Sequence, residues 1–158
     1  MSSANKNLSL FSNRNLGEVA DKKFAIVVAE WNEEITERLY NGAYSTLLNE
    51  GAKDENIIRK SVPGSFELSL GAQYMAQWKE IDAVICLGCV VRGDTPHFEF
   101  ICQAVAQGIT EVGLKYNKPI VFGVITVNTM EQAQERAGGI HGNKGDEAAI
   151  TAIKMLNF

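Results

Sequence analysis

The chain has 158 residues, 46% of them hydrophobic, with a formal net charge of −4 and only three cysteines. That length suits one domain with a sizeable core, and the scattered basic residues argue against a nucleic-acid or anionic-membrane binder. No apolar run approaches the roughly 18 residues of a membrane-spanning helix. Cys86, Cys89 and Cys102 sit inside apolar patterns without metal-ligand spacing, as reduced, buried thiols would in a reducing compartment.

Residues 1–22 are largely polar and lack the apolar core of a signal peptide, so a cytoplasmic protein is expected. Alternation at Leu8 and Leu10 predicts an edge strand in this N-terminal arm, one that needs a sheet to join, such as a neighbouring subunit's. Residues 23–158 read as a single domain. KFAIVVA (Lys23 to Ala29) is a short buried strand by length and β-branching. From Asn32, apolar or small residues at Ile35, Leu39, Ala43 and Leu47 have helical spacing, and Gly51 stops the helix. NIIRKSV (Asn56 to Val62) is a second strand, broken by Pro63-Gly64-Ser65. A helix then carries Leu68, Ala72 and Met75 on one face, with Trp78 close by. AVICLGCVV (Ala83 to Val91) is the third strand, and Phe98, Ile101, Cys102, Val105, Ile109 and Val112 mark the next helix. PIVFGVITV (Pro119 to Val127) is the fourth strand. A short helix, Met130 to Ala137, precedes Gly138-Gly139, and a last helix starts near Asn143, a plausible N-cap.

Short, nearly all-apolar strands alternating with amphipathic helices predict a three-layer αβα sandwich around a four-stranded parallel sheet. Right-handed crossovers leave few topologies, and the flavodoxin-like order 2-1-3-4 is expected. Cys86 and Cys89 form a C-x-x-C, but within a strand their side chains point to opposite faces, which argues against a redox pair.

Ligands of such sheets bind beyond the carboxyl ends of the strands. Three connections emerge there: Glu30-Trp31-Asn32, Pro63-Gly64-Ser65-Phe66-Glu67 and Arg92-Gly93-Asp94-Thr95-Pro96-His97. Trp31 offers a flat surface for a heterocycle, or else closes a helix end against the core. Pro63-Gly64-Ser65 is turn chemistry, and Glu67 can accept hydrogen bonds from a polyol. Gly93-Asp94-Thr95 precedes a helix, so its amides and the Thr95 hydroxyl suit a phosphate; a helix cap made by Asp94 or Thr95 is the plainer alternative. His97 falls in the next helical turn, beside that anion site, where a neutral imidazole can move a proton. AGGIHGNKG (Ala137 to Gly145) is no P-loop, because it follows a helix and lacks the required order. Lys144 and Arg136 are phosphate partners or solvated cations.

Together AEWN, VPGSFE, GCVVRGDTPHFEF, FGVITVNTMEQAQERAG and GNKGDEAA resemble the lumazine synthase family over about Phe24 to Met155. The resemblance implies condensation of 5-amino-6-(D-ribitylamino)uracil with 3,4-dihydroxy-2-butanone 4-phosphate, without metal or organic cofactor. It implies that Trp31 stacks on the pyrimidine, that Asn32, Ser65, Phe66 and Glu67 line a ribityl pocket, and that Val90 and Val91 border the ring. It places Gly93, Asp94 and Thr95 at the phosphate and makes His97 the proton-transfer residue. Phe122, Arg136 and Lys144 would come from an adjacent subunit, Arg136 reaching the phosphate. The implied partners are two small molecules and further copies of the chain, in a homopentamer. In that family an insertion near the junction of the last two helices, or a proline in the arm, accompanies free pentamers; this chain has neither, so the resemblance implies a sixty-subunit shell. Many relatives carry phenylalanine at the Trp31 position and a small residue at Asp94; a carboxylate there would repel phosphate, so the Asp94 side chain is expected to turn away. Two other readings are a riboflavin synthase that dismutates two lumazines and a flavodoxin-like flavin-binding module without catalysis.

Overall fold

The computed structural model describes residues 17–158, so the arm strand expected around Leu8 and Leu10 lies outside the described residues. Four parallel strands form one sheet: β1 (Phe24–Ala29), β2 (Ile57–Val62), β3 (Ala83–Val91) and β4 (Ile120–Val127). Their order is β2-β1-β3-β4, as the strand pattern predicts. Phe24 stands opposite Ile57 on one side and Ala83 on the other, and Val84 stands opposite Ile120.

Every residue of β1 is buried, because helices cover both faces of a parallel sheet and leave no solvent side for a polar residue. On one face, Phe24, Ile26, Val28, Ile85, Leu87 and Cys89 pack with α1 (Glu33–Asn49) and α5 (Lys144–Leu156). On the other, Ala25, Val27, Val84 and Cys86 pack with α2 (Leu68–Ala76) and α3 (His97–Tyr116). Cys86 and Cys89 thus serve different cores, as the period of two requires. β2 and β4 are the edges. β2 carries exposed Arg59, Lys60 and Ser61, a charged border that discourages uncontrolled strand pairing.

The helices follow their apolar spacing. Ile35, Leu39, Ala43 and Leu47 are buried on α1, which ends at Asn49 with Gly51 at φ +100° just beyond. α2 starts as a single 3-10 turn at Ser65–Glu67 and stops at Ala76. Trp78 therefore lies past the helix and is substantially exposed. α4 (Met130–Arg136) is capped by the Thr129 hydroxyl, which accepts from the Gln132 amide. The glycine-rich segment that follows is a small antiparallel hairpin, β5 (Ala137–Gly139) and β6 (Gly142–Asn143), with Gly138 and Gly142 at positive φ. Asn143 then caps α5 as expected, its Oδ1 accepting from the Gly145 amide at 2.8 Å.

Candidate active site

Backbone hydrogen bonds and one side chain tie the carboxyl ends of β1, β2 and β3 together. The Glu30 amide donates to the Val62 carbonyl at 2.8 Å and the Trp31 amide to that of Pro63 at 3.1 Å. Asn32 sits in the left-handed region (φ 61°), which asparagine tolerates better than most residues, and its Nδ2 donates to the Cys89 carbonyl at 2.9 Å. This bond crosses 57 residues of sequence and fixes the first connection over the end of β3.

Between them lies a hollow of about 600 Å³, lined by Trp31, Asn32, Gly64, Ser65, Phe66, Glu67, Cys89, Val90, Val91, His97 and Ile101. The first two connections meet there with His97 of the third, whereas Gly93, Asp94 and Thr95 are not among the lining residues. Trp31 is 74% exposed, so its ring is presented to the hollow's mouth and does not close a helix end against the core. Phe66 offers a second exposed ring beside the Glu67 carboxylate. Ser65 is buried, and its hydroxyl has no hydrogen-bond partner among the described residues. It fits against Gly88, where any Cβ would come within 2.6 Å of the Ser65 Oγ. The Cys89 thiol, behind the hollow, is pushed up to about 11 by burial and is inert as a nucleophile at neutral pH.

Arg92, Gly93, Asp94, Thr95 and Pro96 form an exposed loop at the rim, between the lining residues Val91 and His97. Neither Asp94 nor Thr95 caps α3: its N-cap is Pro96, with no side-chain bond. The plainer reading of this loop as a capping sequence therefore fails, and the positive helix end stays open. A Cβ on Gly93 would meet nothing within 4 Å, so open space adjoins the loop. His97 is exposed in the first turn of α3, and Ile101, one turn later, completes that wall.

Phe122, Arg136 and Lys144 are not in this hollow. They gather in a separate groove of about 950 Å³ along the outer edge of β4, between α3 and α5. The Arg136 Nη1 donates to the Gln132 carbonyl at 2.9 Å and lies 3.5 Å from the Glu135 carboxylate. Lys144 pairs with Glu147 at 2.6 Å. The expected site residues thus fall into two sets on different parts of one chain. Among the described residues, no cluster of three or more His, Cys, Asp or Glu stands ready to hold a metal ion. No helix among them is long and apolar enough to cross a membrane.

The sequence profile described as 6,7-dimethyl-8-ribityllumazine synthase matches residues 21–158. The chain belongs to the lumazine synthase family. It is 64% identical over 156 residues to the 6,7-dimethyl-8-ribityllumazine synthase of Cytophaga hutchinsonii, covering 99% of this chain and 98% of that protein. The proteins of the same name from Parabacteroides distasonis and Phocaeicola vulgatus are 56% and 52% identical over all of this chain, which spans 99% and 94% of their lengths.

Three features of this lumazine synthase-type site were not anticipated. Ile101 was readable, since it lies one helical turn beyond His97. The bond from Asn32 to the Cys89 carbonyl was not, because no local pattern links residues so distant. Nor were the partners through which Arg92 braces its loop. Its Nε donates to the Asn128 Oδ1 at 3.0 Å, its Nη1 donates to Glu99, and its guanidinium lies 4.2 Å from the Phe98 ring centroid. The Arg92 hydrogen bond holds the Glu99 carboxyl below the usual carboxylate range.

Proposed function

We propose that the chain is a transferase that condenses 5-amino-6-(D-ribitylamino)uracil with 3,4-dihydroxy-2-butanone 4-phosphate. The products are 6,7-dimethyl-8-ribityllumazine, phosphate and water, in the penultimate step of riboflavin biosynthesis. The observation that carries this is the convergence of Trp31, Ser65, Phe66, Glu67 and His97 on one hollow, in a chain akin throughout its length to proteins named for that product.

In this reading the Trp31 ring stacks on the pyrimidine, bordered by Val90 and Val91. Asn32, Ser65, Phe66 and Glu67 line the place of the ribityl chain, whose hydroxyls both donate and accept. The phosphate of the second substrate lies at the open start of α3, held by the amides of Gly93, Asp94 and Thr95. The amine attacks the ketone, and its oxygen leaves as water when the imine forms. A proton then leaves carbon as phosphate departs, and ring closure onto the remaining carbonyl releases a second water. His97 moves the proton, and the amides and cations hold the leaving group. Positioning is the larger contribution. General acid–base help is worth about 10²–10⁴-fold, whereas holding two reactants together contributes about 7–11 kcal/mol.

The site is completed between subunits. Phe122, Arg136 and Lys144 of an adjacent copy cover the hollow, with Arg136 reaching the phosphate. The groove along the β4 edge supports this, because exposed Phe122 lines it together with the partly exposed Arg136 and Lys144. The assembly is a homopentamer, built on into a sixty-subunit shell, in the cytoplasm, with residues 23–158 as one domain. Sedimentation at the mass of a single pentamer would overturn the shell.

The decisive test is to mix purified protein with both substrates and follow lumazine fluorescence and phosphate release. Product should require both substrates. A yellow protein with bound flavin and no product would favour the flavin-binding module. Riboflavin formed from lumazine without the butanone phosphate would favour the dismutating synthase.

A further inference from the structure

We infer that Arg92 is a positioning residue for the phosphate end of the site, an assignment that rests on the condensation proposed above. Arg92 is the last residue before the Gly93–Pro96 loop, and its guanidinium is held on three sides. Glu99 accepts from it on α3, Asn128 accepts from it at the end of β4, and the Phe98 ring lies under its face at 4.2 Å. Its own amide donates to the Val127 carbonyl at 2.9 Å. Asn128 is fixed in turn, its amide donating to the Gln132 Oε1 at 2.9 Å in the first turn of α4.

These contacts close a clasp around the loop. Both ends of the Gly93–Pro96 segment are pinned to one planar cation, so the loop and the first turn of α3 keep a fixed spacing from the end of β4. Among the described residues no other side chain anchors that stretch: a Cβ on Gly93 would meet nothing within 4 Å, and Pro96 provides no cap bond. A lysine would keep the charge but not the planar fork that reaches two acceptors while lying on an aromatic ring. Arg92 therefore acts through the loop and through His97 and does not touch the substrates.

The test is steady-state kinetics of Arg92→Ala, Arg92→Lys and Glu99→Gln beside the parent protein, with melting curves for each. Losing a partly exposed, charge-assisted clasp should raise KM for the butanone phosphate about three- to thirtyfold. KM for the ribitylaminouracil should stay within about twofold, and kcat should fall by no more than the effect of removing His97. Arg92→Lys should recover only part of the loss. Glu99→Gln should reproduce part of it, and adding Glu99→Gln to Arg92→Ala should cause no further loss, since the two residues act as one unit. Unchanged constants in Arg92→Ala would overturn the assignment. Equal rises in both KM values together with a lowered melting temperature would also overturn it, because that pattern marks general destabilisation. If the parent protein forms no lumazine, the reaction itself is wrong, and that failure is visible before any variant is compared.

Discussion

Replacing Gly145 by alanine probes how the GNKGDEAA segment is built. Gly145 is the second residue of α5, where that helix crosses α1. A Cβ there would overlap the Leu39 carbonyl oxygen outright and stand 2.7 Å from its carbon. Comfortable carbon–carbon contact begins near 3.5 Å, so the helices must part by roughly 1 Å at the crossing. The obstruction is backbone, which cannot rotate away, placing the cost at the upper end of overpacking, about 3 kcal/mol. The same Cβ would crowd the Asn143 Oδ1 at 2.9 Å and threaten the cap, worth about 1 kcal/mol, while the helix-propensity gain of alanine over glycine returns a similar amount. A net loss near 3 kcal/mol corresponds to a melting point lower by about 6–12 °C for a domain of this size. Urea and thermal unfolding followed by circular dichroism measure it, with Gly93→Ala as the stability control because its Cβ enters open space. A Gly145→Ala protein melting within about 2 °C of its parent would refute the reasoning.

His97→Ala should lower kcat by about 10²–10⁴-fold and leave measurable turnover; complete loss with intact folding and substrate binding would contradict the dominance of positioning. Arg136→Ala should chiefly raise KM for the butanone phosphate, and an unchanged KM would count against its place at the phosphate. Burial raises Cys86 to about 12 and Cys89 to about 11. The unfolded chain therefore releases these protons at lower pH than the folded one. Stability should be flat below the unfolded thiol pKa and fall above it, by roughly 1.4 kcal/mol per pH unit per thiol, until the folded values are reached. Urea midpoints across pH 8 to 10.5 test the slope. At pH 8, mass spectrometry after alkylation should find both thiols unmodified until the protein unfolds, and prompt labelling of either would show that the cores open.

The fold was legible wherever one kind of residue ran unbroken. AVICLGCVV gave the bounds of β3 directly, because a strand covered on both faces tolerates only apolar residues and Arg92 ends the run. The four-residue spacing on α1 named its buried face. AGGIHGN was opaque, since a two-rung hairpin made largely of glycine has no side-chain period to read. The start of α2 blurred for a related reason: Ser65-Phe66-Glu67 form a 3-10 turn, whose tighter winding does not share the spacing of the helix that follows. For the site, the residue types and their grouping at strand ends were readable from position alone. What the residues touch was not, because Asn32 reaches Cys89 and Arg92 reaches Asn128 across gaps that only the folded sheet closes.

The proposed sharing of one pocket between the hollow at the strand ends and the groove along β4 has a consequence for mixed populations. When adjoining copies build each pocket jointly, damage to His97 and damage to Arg136 strike opposite walls. Subunits carrying only one lesion each, unfolded together and allowed to reassemble at random, would regenerate about one undamaged pocket in four. Two crippled preparations would thereby rescue each other on blending, and a cell carrying both alleles would outperform either one alone.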